Sequence, residues 1–266
     1  MELLQTETDI GLIRHNNEDT ALAISHPKNK RIKLLLVADG MGGKAHGEIA
    51  SKYVTSSIEK WFLNKDPKEL KDVEKTELLL KRLVKKINNE LIKEFGINNL
   101  GTTLTLALIT YRKTIFLNVG DSRGYLFKNY KLIQITEDDS DVWCYYKYAG
   151  VKKDDLRYFS NNNIINACIG LSEGLCKIST TIVNNDYDML LLFTDGVTDL
   201  ITDKKIYKII KSNNKKEILK KIIHEAVNIN QHLHVPLRLL RKKYVNYIVP
   251  FKGRDNATGA LYVKEV

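Results

Sequence analysis

The chain has 266 residues, 43% of them hydrophobic and 28% charged, with a formal net charge of +10. That length suits one large domain or two small ones and buries a full core, and the composition is that of an ordinary soluble globular protein. Three cysteines, Cys144, Cys168 and Cys176, are an odd set at no metal-ligand spacing, which argues against a disulfide scaffold or a zinc ribbon and for a reducing compartment. The early N-terminal acids leave no apolar h-region for a signal peptide. Apolar runs such as Met189–Phe193 are far short of a membrane span. A cytoplasmic location is the expectation.

The charge is local. Residues 204–253 hold 13 Lys and Arg against Glu217 and Glu225, while the rest of the chain holds 29 basic and 30 acidic side chains. A concentrated basic segment attracts acidic partners, nucleic acid and membrane surfaces included. A solvated lysine-rich face is the alternative.

In chain order, Thr20–Ser25 and Arg31–Ala38 read as strands, the second ending at the turn signal Asp39-Gly40. Ile49, Tyr53, Ile58, Trp61 and Phe62 predict an amphipathic helix over about 46–63. Pro67 breaks the chain. A second helix carries Leu79, Leu83, Ile87, Leu91 and Phe95 four residues apart on one face. Thr102–Thr110 is rich in strand formers, and Ile115, Leu117 and Val119 alternate. Gly124–Phe127 and Lys131–Ile135 predict a hairpin around Asn129. Residues 141–165 read as a mobile surface flap. Lys177–Val183 and Met189–Thr194 are strands, Lys204–Ile210 and Glu217–Val227 helices, and Asn256–Val263 a closing strand. Helices lie between blocks of strands, which predicts an α+β fold with antiparallel sheets.

Carboxylates recur at strand ends beside glycine. Asp39 precedes Gly40-Met41-Gly42-Gly43, Asp195 precedes Gly196, Asp121 follows Gly120, and Asp255 follows Gly253-Arg254. Glu18-Asp19 stand at the entrance of another strand. Such acids are costly to desolvate unless paired or metal-bound, and glycine lets backbone carbonyls approach an ion. If the ends converge, an all-oxygen site results, which prefers Mg²⁺ or Mn²⁺ over Zn²⁺. Any single Asp-Gly is also a plain turn.

Six motifs in order resemble the metal-dependent serine/threonine protein phosphatases of type 2C, in their short bacterial or archaeal form. They are Arg14-His-Asn-Asn-Glu18-Asp19; Val37-Ala-Asp39-Gly-Met-Gly-Gly43 with Gly47-Glu48 and Ala50-Ser51; Gly101-Thr-Thr103; Asn118-Val-Gly-Asp121-Ser-Arg123; Thr194-Asp-Gly196; and Gly253-Arg-Asp-Asn256 with Thr258. The resemblance spans residues 11–263. It implies one domain over 1–266, a four-layer αββα sandwich of two antiparallel sheets flanked by helices, with a basic insertion at 228–252.

The resemblance also implies a site. Asp39 would bridge two Mn²⁺ or Mg²⁺ ions, Asp195 and Asp255 would complete the first, the Gly40 carbonyl would bind the second, and Glu18 would hold its water shell. Asp121 would join Asp195 at a third ion. Arg14 would contact the substrate phosphate, and Asn256 would support the loop of Asp255. The implied activity is hydrolysis of phosphoserine and phosphothreonine in proteins by a metal-activated water, by a monomer opposing a Ser/Thr kinase. Two classes compete: a weakly active phosphoprotein-binding module, and a basic nucleic-acid-associated protein acting through 204–253. Departures are Met41 and Lys44 where family members often carry His, with His46 nearby, and Asp138-Asp139-Ser140 in place of Asp-His-Ser. His232 and His234 sit at i, i+2 without a partner cluster.

Overall fold

The computed structural model describes residues 2–42, 47–159, 161–174, 177–228 and 255–264. Three strands open the chain, β1 (Leu3–Asp9), β2 (Asp19–His26) and β3 (Asn29–Gly42). Helices α1 (Gly47–Asn64) and α2 (Val73–Phe95) follow, separated at Pro67 and a 3-10 turn, Glu69–Lys71. Then come β4 (Leu100–Thr102), β5 (Leu104–Ile109), β6 (Lys113–Val119), β7 (Arg123–Lys128) and β8 (Lys131–Gln134). A short helix α3 (Trp143–Tyr148) and a 3-10 turn, Lys153–Tyr158, precede β9 (Ser179–Asn184) and β10 (Met189–Phe193). Helices α4 (Asp195–Thr198), α5 (Asp203–Ser212) and α6 (Ile218–Val227) lead to the closing strand β11 (Ala257–Val263).

The strand pairs are antiparallel and form two sheets. One runs β1-β11-β10-β7-β8, the other β2-β3-β5-β6-β9 with β4 against β3. Successive side chains point to opposite faces. Leu34 and Leu36 of β3 therefore pack with the α1–α2 layer, while Leu35 and Val37 meet the other sheet. In β10, Leu190 and Leu192 face the inter-sheet core, and Met189, Leu191 and Phe193 pack with α5 and α6. The layers are thus helices, sheet, sheet, helices, the expected αββα sandwich. Both faces of the central strands are covered, which explains their unbroken apolar runs.

Helix faces differ from the sequence reading. The buried stripe of α1 is Ala50, Val54, Ile58 and Phe62, whereas Ile49 is exposed. In α2 the buried residues are Thr76, Leu80, Val84, Ile87, Asn88 and Leu91, with Leu83 and Phe95 only partly covered. A strict four-residue row drifts by about 40° per step on a helix of 3.6 residues per turn, so the leucine row walks off the core. Strand β1 was not foreseen. Only Leu3 and Leu4 supply apolar surface, one to each core, and its pairing with β11 lies at the far end of the sequence.

The predicted hairpin is present. Asn129 and Tyr130 form its two-residue turn with φ of 49° and 57°, the left-handed pair that matches strand twist. Residues 141–165, read as surface, bury Val142, Trp143, Val151, Leu156, Tyr158 and Phe159 in a small core of their own. The basic insertion apart from Asn228, with His232, His234 and Arg238–Lys243, lies outside the described residues, as do Gly43, Lys44, His46, Cys176, Gly253 and Arg254.

Candidate metal centre

Antiparallel register gathers the acids at one end of the sandwich. Asp19 at the start of β2 pairs with Asp39 near the end of β3. Val119 at the end of β6 pairs with Leu104 at the start of β5, so Gly120-Asp121 emerges at that same end. Phe193 at the end of β10 pairs with Arg123 at the start of β7 and with Gly259 of β11. Asp195 and Asp255 flank those positions.

The motif residues hold the backbone there. The Asp39 amide donates to Thr103 Oγ1 at 3.0 Å, and its carbonyl accepts from Thr102 Oγ1 and the Thr103 amide, both at 2.9 Å. Asn118 Nδ2 donates to the Gly120 and Glu137 carbonyls at 2.9 and 3.0 Å, bracing the turn before Asp121. Gly120 has φ of 101°, a conformation that disfavours any side chain. A Cβ on Gly40 would lie 2.2 Å from the Gly47 carbonyl oxygen. That contact seats the end of β3 against the start of α1. Glu18 lies at the same junction, its Oε1 accepting from the Gly47 amide at 3.2 Å and its carbonyl from the Gly40 amide at 3.1 Å.

Arg14 reaches the cluster from the β1–β2 loop. Its Nη2 donates to Asp255 Oδ2 at 2.7 Å, and both side chains are partly exposed. That hydrogen bond, with the charges of Asp255, Asp39 and Glu18, raises the guanidinium above its ordinary value against the cost of burial. Arg14 thus engages a carboxylate of the cluster directly. Asn256 follows Asp255, its amide donating to Asp255 Oδ1 at 2.9 Å. Its side chain accepts from the Glu18 amide at 2.8 Å and donates to the Ile10 and Asn16 carbonyls at 2.9 and 3.0 Å, so it staples the β1–β2 loop.

Burial pushes Asp39 well above the usual carboxylate range, and the neighbouring Asp195, Asp19 and Asp255 push it further. Asp19 is raised by burial and then by Asp195, with Thr194 and Thr258 pulling the other way. Asp121 is raised by burial, then by Asp195, Asp138 and Asp199, against Arg123. Asp195 is pushed up to about 7 by burial, then by Asp255 and Asp199. The strongest influences on Asp19, Asp39 and Asp195 include no cation. Asp19 Oδ1 and Asp195 Oδ1 are buried and have no hydrogen-bond partner.

Clustered buried carboxylates with orphaned oxygens are expensive without a positive charge. The donor set is oxygen throughout and suits a hard divalent cation. Among the described residues no three acidic, His or Cys side chains already surround one point as a closed cage. The acids are neighbours, with Asp255 turned onto Arg14.

A sequence model of protein phosphatase 2C matches residues 14–224. The chain belongs to the protein phosphatase 2C family. The serine/threonine phosphatase stp of Listeria monocytogenes is 34% identical over 211 residues, covering 77% of this chain and 81% of that protein. The crystal structure of the serine/threonine phosphatase Stp1 from Staphylococcus aureus superposes with a TM-score of 0.83 at 27% identity, covering 100% of this chain and 96% of that one. The catalytic domain of the phosphatase PstP, crystallised with two manganese ions, gives 0.74 at 25% identity, covering 98% and 97%.

Within this phosphatase 2C chain, two acids enter the cluster that sequence reasoning left without a role. Asp19 accepts from Thr194 Oγ1 at 2.9 Å. Its signal was its place beside Glu18, opposite Asp39. Asp199 follows Asp195 by one turn of α4 and accepts from Asn162 Nδ2 at 3.0 Å. Its signal was the i, i+4 spacing, which puts two side chains on one helix face.

The departures after the β7–β8 hairpin are accommodated by charge. Arg123 grips Asp138 through Nε at 2.8 Å and Nη2 at 2.7 Å, both groups buried. Asp139 pairs with Lys177. Arg157, buried, donates to the Thr198 and Ile201 carbonyls at 3.4 Å, and Lys153 pairs with Asp203. The 141–165 segment is thereby tied to the turn that follows Asp195.

Proposed function

We infer that this chain is a metal-dependent protein serine/threonine phosphatase. The observation that carries the reading is the convergence of Asp19, Asp39, Asp121, Asp195 and Asp255 at one end of the sandwich, Asp19 and Asp121 buried and the others partly buried, with two orphaned carboxylate oxygens. Asp39, Asp195 and Asp255 would hold one divalent ion. Asp39 with the Gly40 carbonyl and Glu18, through water, would hold a second, and Asp121 with Asp195 a third. Mn²⁺ or Mg²⁺ fits this set. Bound divalent ions would offset the charge of the phosphoryl oxygens and acidify the water that attacks phosphorus.

The chain's own residues orient the substrate. Asp255 holds Arg14 by one nitrogen, and the remaining guanidinium N–H groups would take phosphate oxygens. Gly40 and Gly196 admit the close backbone contacts that keep the acids in place. Attack of water breaks the bond between phosphorus and the serine or threonine oxygen, which leaves with a proton; inorganic phosphate is the other product.

The substrate is a phosphoprotein, and the counterpart is a Ser/Thr kinase. Residues 141–165 serve as a flap beside Asp199, and 228–252 as a basic insertion into one domain of 1–266. The expected form is a cytoplasmic monomer; among the described residues no helix is long and apolar enough to cross a membrane. The test is hydrolysis of p-nitrophenyl phosphate and of a phosphothreonine peptide with Mn²⁺, and again after chelation. Both are hydrolysed only with the ion; full activity after exhaustive chelation overturns the reading.

A further inference from the structure

The loop that delivers Arg14 also displays aliphatic side chains to solvent. Ile10, Leu12 and Ile13 are 40%, 58% and 53% exposed. Single exposed apolar residues are ordinary, but these are three of the four positions preceding Arg14. The loop is held at both ends. Asn256 Nδ2 bonds the Ile10 and Asn16 carbonyls, and its Oδ1 takes the Glu18 amide. Gly11, at φ of 77°, donates to Asp9 Oδ1 at 2.8 Å. Asp255 fixes Arg14 itself. Leu12 and Ile13 are therefore presented on a pinned turn whose next residue reaches the acid cluster.

We propose that Leu12 and Ile13 form a docking surface for an aliphatic side chain of the phosphoprotein substrate, close in sequence to the phosphorylated serine or threonine. This inference rests on the phosphatase reading above. The reach agrees. Neighbouring Cα atoms are about 3.8 Å apart, which puts Leu12 and Ile13 within about 8 Å of Arg14 along the chain. An extended peptide advances about 3.4 Å per residue. With the phosphate on the Arg14 guanidinium, residues one to three positions away lie over the same distance. The anionic phosphate meets the cationic residue, and the neighbouring side chain meets the apolar pair. Covering that pair removes water from aliphatic surface on both partners. A small ester reaches the acid cluster without touching it.

The experiment uses the full chain with Mn²⁺ and three substrates. Two are phosphothreonine peptides that differ only in leucine or serine at the positions flanking the phosphothreonine. The third is p-nitrophenyl phosphate. Wild type is expected to favour the leucine peptide in kcat/KM by about tenfold, the yield of covering roughly one aliphatic side chain. The double variant Leu12→Ser, Ile13→Ser should bring the two peptides to equal kcat/KM, with hydrolysis of the small ester unchanged. Both residues are on the surface, so a thermal melt should match wild type. Equal kcat/KM for the two peptides in wild type overturns the proposal, and so does a leucine preference that survives in the double variant. A wild-type protein that hydrolyses neither ester nor peptides overturns the phosphatase reading instead, and this inference with it.

Discussion

Asp19 and Asp39 stand directly opposite each other across the β2–β3 ladder, one carboxylate facing another in a single antiparallel residue pair. Like charges in that position destabilise a sheet, and the pair is retained where Asp195 adds a third. Asp39→Asn keeps the shape and removes one charge. Its activity should fall on the order of 10² or more, the scale of lost preorganised charge stabilisation. The chelated variant should melt above the chelated wild type, because repulsion is relieved. Calorimetry should show weakened Mn²⁺ binding; unchanged binding would remove Asp39 from the ligand set.

The acid cluster also sets a pH dependence. Folded carboxyl groups raised above their unfolded values hold extra protons, so the stability they contribute is complete at low pH and is lost as pH rises. The window runs from the ordinary carboxylate value of 3.8 to about 7, where Asp195 ionises. Chelated protein should therefore lose on the order of a few kcal/mol between those limits. Added Mn²⁺ competes with protons for the same oxygens, so its stabilising shift in Tm should be larger at pH 7.5 than at pH 5. Melting curves at both pH values, with and without the ion, check the sign.

Arg14→Ala should raise KM for phosphopeptides about tenfold, as expected for loss of charge-assisted hydrogen bonds. Mn²⁺ affinity should not fall, since the change frees Asp255 from its ion pair. Arg14→Lys should restore only part of the loss, because an ammonium cannot present a planar fork. A KM equal to wild type in Arg14→Ala would leave Arg14 no role in holding phosphate.

The Arg123–Asp138 pair predicts a stability effect. Both side chains are buried and joined through two nitrogens. Asp138→Ala leaves the guanidinium without its counter-charge and should cost about 3–5 kcal/mol. Denaturant unfolding measures it. Arg123→Met with Asp138→Leu should recover much of that stability, since a buried pair replaced by apolar groups is often neutral.

Gly196→Ala tests a backbone contact. The added Cβ would sit 2.0 Å from the Asn256 carbonyl oxygen, so the Asp255-Asn256 segment leading into β11 must shift. Activity should fall more than tenfold, as positional errors of about 1 Å cost catalysis on the order of 10². A variant with wild-type kcat would show that the contact between α4 and the approach to β11 tolerates displacement.

Much of this was legible in the sequence because the signals are local. Asp39-Gly40 and Asp195-Gly196 mark strand ends, and the doubly covered strand β10 shows as the short apolar run Met189–Phe193. What escaped depends on distant partners. β1 is a strand because β11 completes it. The buried face of α2 runs through Thr76, Leu80 and Val84 because of what packs on it, and the evenly spaced leucines gave no warning. Asp19 matters through Thr194, 175 positions away. Asp139 stands in the place of the histidine of Asp-His-Ser, and Lys177 neutralises it from the approach to β9.

The antiparallel partnership of the first strand with the last has a consequence for assembly. β1 pairs with β11, and Arg14 meets Asp255 across 241 positions of chain. Contacts of such sequence separation form late, because their loop-closure entropy is met before they give any return. A chain emerging from the ribosome can complete the sheet of β2, β3, β5, β6 and β9 and its helix pair first. It cannot seat Asp255, or anchor the loop through Asn256, until β11 is free. The Arg14–Asp255 ion pair and the β1–β11 ladder therefore close only after β11 has been made.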